Sequence, residues 1–409
     1  MLAIVPLVVA GVALSNFRAE AERLTQKTIA TFFDSKAEIW KPPVASAEAV
    51  GVQGYTFWPS LLAWQSVIEA AKVEPKSWKP RVGPFYDALE KYFDPGTHAY
   101  CAWTYFPGND DHFYDDNTWA AVACMEAFDV THEARYRLRA IEILDDFCRK
   151  GWDATGTPGG MQWGTKPLPD RSDRTVSATA AGALAALLVA KVHDPKGNRT
   201  WAKEQLNWIR TRLSATNGLI YDGLKSPRFE RMNTIWTYNT GVPIRAALEY
   251  YAQTKDSAYL DWAVRMGNAA IDRSQSPMYD GAVKDLSKRY WWDSTFFVQY
   301  LVDGLRLLTA VSGDPRYRTE CDREAAYCFG HLRDSDGLYW RNMRLWTIDA
   351  ATTQSFDQLT GQTTPALAAD ASERRMEADD LKLPVEQRPM VKTLLANASM
   401  ARMFWLLSH

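Results

Sequence analysis

A chain of 409 residues with 46% apolar content can bury a sizeable core, as one large domain or as two or three smaller ones. Its formal net charge of −2, with no basic cluster, argues against nucleic acid as a partner. Five cysteines, an odd number, do not make a disulfide framework, and no Cys or His spacing resembles a metal site. Without a glycine-rich phosphate loop or nucleotide fingerprint, neither cofactor nor metal is expected.

Residues 1–15 form an apolar run too short to span a bilayer. The run resembles the hydrophobic part of a signal peptide, although the usual basic start is missing. The expectation is therefore a secreted or periplasmic protein; a buried N-terminal segment in a cytoplasmic one is the alternative. No other uncharged run is long enough to cross a membrane. The remainder, 16–409, is expected to be one domain acting as a monomer.

Helical periodicity dominates that remainder. Twelve helices are predicted near 16–33, 58–73, 82–93, 115–129, 132–150, 174–193, 197–213, 237–253, 256–273, 292–311, 314–333 and 388–407. Two kinds alternate. The fifth carries one apolar stripe (Tyr136, Ala140, Ile141, Leu144, Phe147) opposite a charged face, as an outer helix does. The sixth, Ser177 to Val189, is small or apolar on every face, and such a helix is buried all round. A weak repeat agrees with the alternation. Gly160-Met161-Gln162-Trp163, Gly218-Leu219-Ile220-Tyr221 and Gly337-Leu338-Tyr339-Trp340 lie 58 and then 119 residues apart, one and two periods of about 60. Six such periods nearly fill the chain, which predicts an all-α fold: an (α/α)6 barrel of six helical hairpins with inner and outer rings. Residues 341–387 interrupt the pattern with polar residues and read as a surface insertion rather than a loop over a cleft.

Inner helices of such a barrel start at one mouth, and these begin with unusual residues. Trp58 opens the second helix, and Tyr114-Asp115-Asp116-Asn117 the fourth. Trp236, Tyr238 and Asn239 open the eighth, Trp292 and Asp293 the tenth. With 17 Trp and 18 Tyr in the chain, several beside Gly, Asn and Asp, aromatic faces for sugar rings are expected there. Adjacent carboxylates fanned out at a helix start suit a nucleophile beside an acid/base, which in a retaining glycosidase stand about 5 Å apart. Asp is also a favoured helix cap, so Asp115-Asp116 has a purely structural reading too.

Tyr114-Asp115-Asp116-Asn117-Thr118-Trp119, Gly159-Gly160-Met161-Gln162-Trp163 and Trp236-Thr237-Tyr238-Asn239-Thr240-Gly241 together resemble glycoside hydrolase family 76, the endo-α-1,6-mannanases. The resemblance implies an (α/α)6 barrel that cleaves α-1,6-mannosyl linkages with retention, on α-mannan or its oligosaccharides. It implies Asp115 as nucleophile and Asp116 as acid/base. The second block makes Trp163 a candidate for substrate contact, alongside the mouth residues. Ala120 departs from the pattern, where many members carry a second bulky residue. Transglycosylation of cell-wall glycans is a related alternative. An inverting pair on different helices, such as Asp116 with Asp293, is another, and a glycan-binding protein without catalysis a third.

Overall fold

The computed structural model describes residues 5–49, 54–363 and 369–409. Among them are thirteen α-helices: α1 (Val5–Phe32), α2 (Phe57–Val73), α3 (Pro75–Leu89), α4 (Tyr114–Thr131), α5 (Ala134–Glu142), α6 (Val176–Val189), α7 (Pro195–Arg212), α8 (Thr237–Thr254), α9 (Ser257–Ala270), α10 (Thr295–Ser312), α11 (Pro315–His331), α12 (Ala350–Thr360) and α13 (Leu394–Leu406). Every predicted helix has a counterpart. The third starts earlier than expected, because Pro75 is tolerated in a first turn and fixes the helical φ. The fifth is α-helical only to Glu142, then widens into a π turn (Ile143–Phe147) and tightens into a 3-10 turn (Cys148–Gly151). The apolar N-terminal run, where described, continues directly into α1; residues 1–4 lie outside the described residues. No helix among the described residues is long and apolar enough to cross a membrane.

Two compact units share the helices. The first comprises Met1–Val82, Tyr279–Val302 and Arg318–His409; the second comprises Gly83–Met278 and Asp303–Tyr317. In the second, α4 packs on α6 and α6 on α8, while α5, α7 and α9 back onto their preceding partners. Burial follows the same alternation. Every residue of α6 is buried except Ser177, whereas α7 buries only one face, which carries Trp201, Leu206 and Ile209 with Asn198 and Gln205. In the first unit, α13 is buried along its whole length between α1 and α2. All five cysteines are buried and free, as expected of small core residues.

The repeat has a physical basis, in a register one residue from the predicted one. The fourth residue of each of four buried helices accepts a hydrogen bond from a hairpin backbone N–H. Asn117 accepts from Tyr100 (2.7 Å), Thr179 from Met161 (3.1 Å) and Thr240 from Ile220 (3.3 Å), all in the second unit. Asn397 accepts from Tyr339 (2.8 Å) in the first. Two residues before each donor the backbone is left-handed, at His98 (φ 59), Gly159 (φ 69), Gly218 (φ 94) and Gly337 (φ 80). Glycine adopts that φ without strain, so three of the four turns carry it. The hydrogen bonds therefore align Gly159, not Gly160, with Gly218 and Gly337.

The segment 341–387 is more than a surface insertion. Asp349 and Thr352 form a capping box that starts α12. Buried Glu373 accepts the backbone N–H groups of Arg341 (2.8 Å) and Asn342 (3.0 Å). Buried Arg374 donates to the Ile348 carbonyl (2.7 Å). Polar composition disguised an anchored segment, because Glu373, Arg374 and Asp380 face inward and are hydrogen-bonded there.

Candidate active site

The cap of α4 is Phe113, in extended backbone (φ −117, ψ 137). Asp115 and Asp116 are therefore not its N-cap; they occupy the first turn itself, half-buried, on a helix otherwise buried as far as Ala127. Asp115 is held on both oxygens. Its Oδ1 accepts the Asp116 backbone N–H (3.0 Å), and its Oδ2 accepts Trp163 Nε1 (2.9 Å) and Ser177 Oγ (3.1 Å).

Each donor is itself fixed. The Trp163 carbonyl accepts from Tyr114 N–H (2.9 Å), and its own N–H donates to the Asp173 carbonyl (3.0 Å). Its ring meets Phe113 edge-on at 5.0 Å, and the Arg171 guanidinium lies over both rings, 4.1 Å from Phe113 and 4.9 Å from Trp163. Ser177 is the second residue of α6, as Asp115 is of α4 and Tyr238 of α8. Each is the one position near its helix start, with Asp116, that escapes full burial in the second unit. The repeat thus leaves the same helical position incompletely buried in all three helices.

The two carboxyls differ electrostatically. Burial pushes both upward from the usual carboxylate range. For Asp115, the Trp163, Ser177 and Asp116 donors oppose that rise by stabilising the anion. For Asp116, the neighbouring Asp115 and Asp111 charges add to it, with only Arg171 working the other way, and its pKa stands well above normal. The surroundings therefore favour the proton on Asp116 over Asp115. Sequence alone could not divide the pair, because the deciding donors come from distant segments.

The other expected contact residues separate into groups. Tyr114 points into the core and stacks on Phe147 at 4.8 Å. Asn117 is fully buried, its amide engaged by the backbone of Tyr100 and Phe113. Both were expected to touch substrate and instead hold the framework. Ala120 is likewise buried within α4. Tyr238 is half-buried and donates to Asp222 Oδ1 (2.7 Å). Buried Asn239, with its amide oriented to satisfy its neighbours, donates to the same Oδ1 (3.2 Å) and accepts from Trp236 N–H (3.2 Å). Burial raises the Asp222 pKa, against the pull of those donors. In the first unit, Trp58 packs edge-on against Phe296 (5.3 Å), Trp292 is 42% exposed, and Asp293 is buried with Oδ1 on Ser294 N–H (2.7 Å).

Sequence reasoning missed Ser177, Arg171, Asp111 and Asp222. Only Ser177 had a readable signal, as the single hydroxyl at the second position of an all-buried helix. The structure also gathers three side chains of metal-ligand type. Asp94, Cys101 and His112 bring one ligand atom each within 4.8 Å of one another, all buried. No short motif announces them, because a hairpin and a loop close the gaps.

A 28% identical relative from Schizosaccharomyces pombe, the meiotically up-regulated gene 191 protein, aligns over 94% of this chain and 90% of its own. A family 76 mannosidase structure from Bacteroides thetaiotaomicron superposes with TM-score 0.73 at 16% identity, covering 96% of this chain and 98% of that one. An inactive variant of a Salegentibacter α-1,6-mannanase, with two consecutive aspartates replaced by Asn, was solved with α-1,6-mannotriose. It superposes with TM-score 0.69 at 16% identity, covering 96% and 99%. The fold class is the expected all-α (α/α)6 barrel. Residues 17–376 match the model of Glycosyl hydrolase family 76, and the chain belongs to that family of glycoside hydrolases.

Proposed function

We propose that the enzyme cleaves α-1,6-mannosyl linkages with retention of configuration, Asp115 acting as nucleophile and Asp116 as general acid/base. The observation that carries this reading is the unequal setting of two adjacent carboxyls: three donors favour the anion of Asp115, while burial and neighbouring charges favour the protonated form of Asp116. Double displacement needs that pair of states at the start. Further support comes from the Salegentibacter mannanase, whose inactive variant lacks two consecutive aspartates.

Asp115 attacks the anomeric carbon as Asp116 gives its proton to the departing glycosidic oxygen. A β-linked glycosyl ester on Asp115 results. Asp116, now ionised, takes a proton from water, and the hydroxide oxygen displaces Asp115 to release an α product. Trp163 and Ser177 hold the nucleophile in place through both steps. Asp222 and Tyr238 offer hydrogen bonds to sugar hydroxyls.

Linear α-1,6-mannan followed by proton NMR tests the reading. The first-formed reducing end is α; a β end appearing first contradicts retention, and binding without product contradicts catalysis.

The pH profile carries a second expectation. Activity rises with pH as Asp115 ionises and falls again as Asp116 loses its proton. Trp163→Phe removes a donor that holds the Asp115 pKa down, so the acid limb of kcat/KM moves to higher pH. Asp111→Asn removes a charge that holds the Asp116 pKa up, so the alkaline limb moves to lower pH. Limbs that stay in place in both variants contradict the assignment.

A further inference from the structure

The segment that leads into α4 holds a second cluster of polar groups, which the reaction does not use. His112 Nε2 faces Thr97 Oγ1 at 3.1 Å, Cys101 Sγ at 3.3 Å and Asp94 Oδ2 at 3.4 Å. Asp94, Cys101 and His112 are buried residues, at 7% exposure or less. They come from three places in the second unit: the strand Phe93–Asp94, the residue after the strand Ala99–Tyr100, and the loop before α4.

Turn formation explains only part of this. Asp94 caps its hairpin turn, accepting Gly96 N–H (2.8 Å) and the Thr97 hydroxyl (2.8 Å). Asp34, Asp153 and Asp272 cap loops of their own in the same way, each accepting a backbone N–H two residues on, at 3.0, 2.9 and 2.9 Å. Among the described residues, however, Asp94 is the only one of them joined by two further His, Cys, Asp or Glu ligands. A turn does not need a histidine and a thiol.

Hydrogen bonding leaves a residue unexplained too. One ring nitrogen makes one hydrogen bond, as donor or as acceptor, yet three groups converge on Nε2. Nε2, Sγ and Oδ2 lie within 4.8 Å of one another, a spread that a single cation can bridge. Tetrahedral zinc with bonds of about 2.0–2.3 Å has ligand–ligand edges of about 3.4–3.6 Å. The observed Nε2–Oδ2 and Nε2–Sγ separations, 3.4 and 3.3 Å, are close to those edges.

We propose that Asp94, Cys101 and His112 form a binding site for a borderline-soft divalent metal, zinc by its chemistry. Imidazole, thiolate and carboxylate together suit zinc better than calcium or magnesium, which prefer oxygen alone. Thr97 or a water completes the four. The ion would tie the hairpin to the loop that delivers Asp115 and Asp116, a structural role.

Cobalt makes the test visible. Reduced protein, stripped with chelator and shown folded by circular dichroism, is titrated with Co2+. One equivalent should bind with a sulfur-to-cobalt charge-transfer band, and Zn2+ should displace it. Cys101→Ala should lose the band and bind at least tenfold more weakly, while Cys124→Ala keeps both. Metal should raise the melting temperature of wild type but not of Cys101→Ala. Should Cys101→Ala fail to fold, Cys101→Ser serves in its place. Folded wild type that takes up no stoichiometric metal, binds it without the sulfur band, or keeps the band in the Cys101 variant overturns the proposal.

Discussion

Asp115→Asn and Asp116→Asn each lower kcat on α-1,6-mannan by roughly 10³-fold or more, about 4 kcal/mol of barrier, with the folded fraction near wild type. Stability survives because neither side chain caps α4; Phe113 holds that position and its backbone is extended. Asn keeps the volume of Asp and can still accept from Trp163, so the surroundings have no cause to collapse. The two variants should differ in kind. Asp115→Asn lacks the attacking carboxylate and fails with every substrate. Asp116→Asn still has its nucleophile, so an aryl mannoside with a good leaving group restores the first step, and a glycosyl-enzyme accumulates. Early melting with activity per folded molecule retained would return both residues to a structural role. Circular dichroism beside single-turnover kinetics separates the outcomes.

Asn117→Ala has the largest expected effect on stability. The substitution removes the side-chain partner of the Tyr100 N–H (2.7 Å) and C=O (3.0 Å), while the Phe113 C=O loses one donor (2.8 Å) and keeps the backbone N–H of residue 117 (3.2 Å). At about 1–3 kcal/mol for a buried polar group left unpaired, the loss is about 2–5 kcal/mol. Asn397→Ala should cost a similar amount, since Asn397 holds the Tyr339 N–H (2.8 Å) in the same way. Denaturant melts measure both. Unchanged stability with a raised KM in Asn117→Ala would instead put that amide on the sugar.

The contrast between Asn117 and Asp115 shows what the sequence could convey. Buried and one-sided helices differ in composition, so the inner and outer rings were legible, as were the helix starts that hold the site. Period and glycine positions revealed the repeat, although its register emerged only once backbone donors met Thr179, Thr240 and Asn397. Within the first turn of α4, residue type said little about direction. Tyr114 and Asn117 looked like substrate contacts and turn inward, because successive helix positions point about 100° apart. Arg171 and Asp222 were invisible for another reason. Their importance lies in neighbours brought from other segments, which no local pattern records. The same holds for Asp94, Cys101 and His112, which no metal-binding spacing signals.

Azide trapping tests the roles of the two aspartates most directly. Asp115→Gly leaves a hole on the face from which the nucleophile attacks. On an activated α-mannoside, azide entering that hole should displace the leaving group and give β-mannosyl azide. Asp116→Gly keeps the nucleophile, so the β-linked glycosyl-enzyme forms first and azide should then release the α-azide. Proton NMR of the two products decides. A β-azide from Asp115→Gly and an α-azide from Asp116→Gly are the predicted pair; exchanged anomers, or no azide from either variant, contradict the assignment.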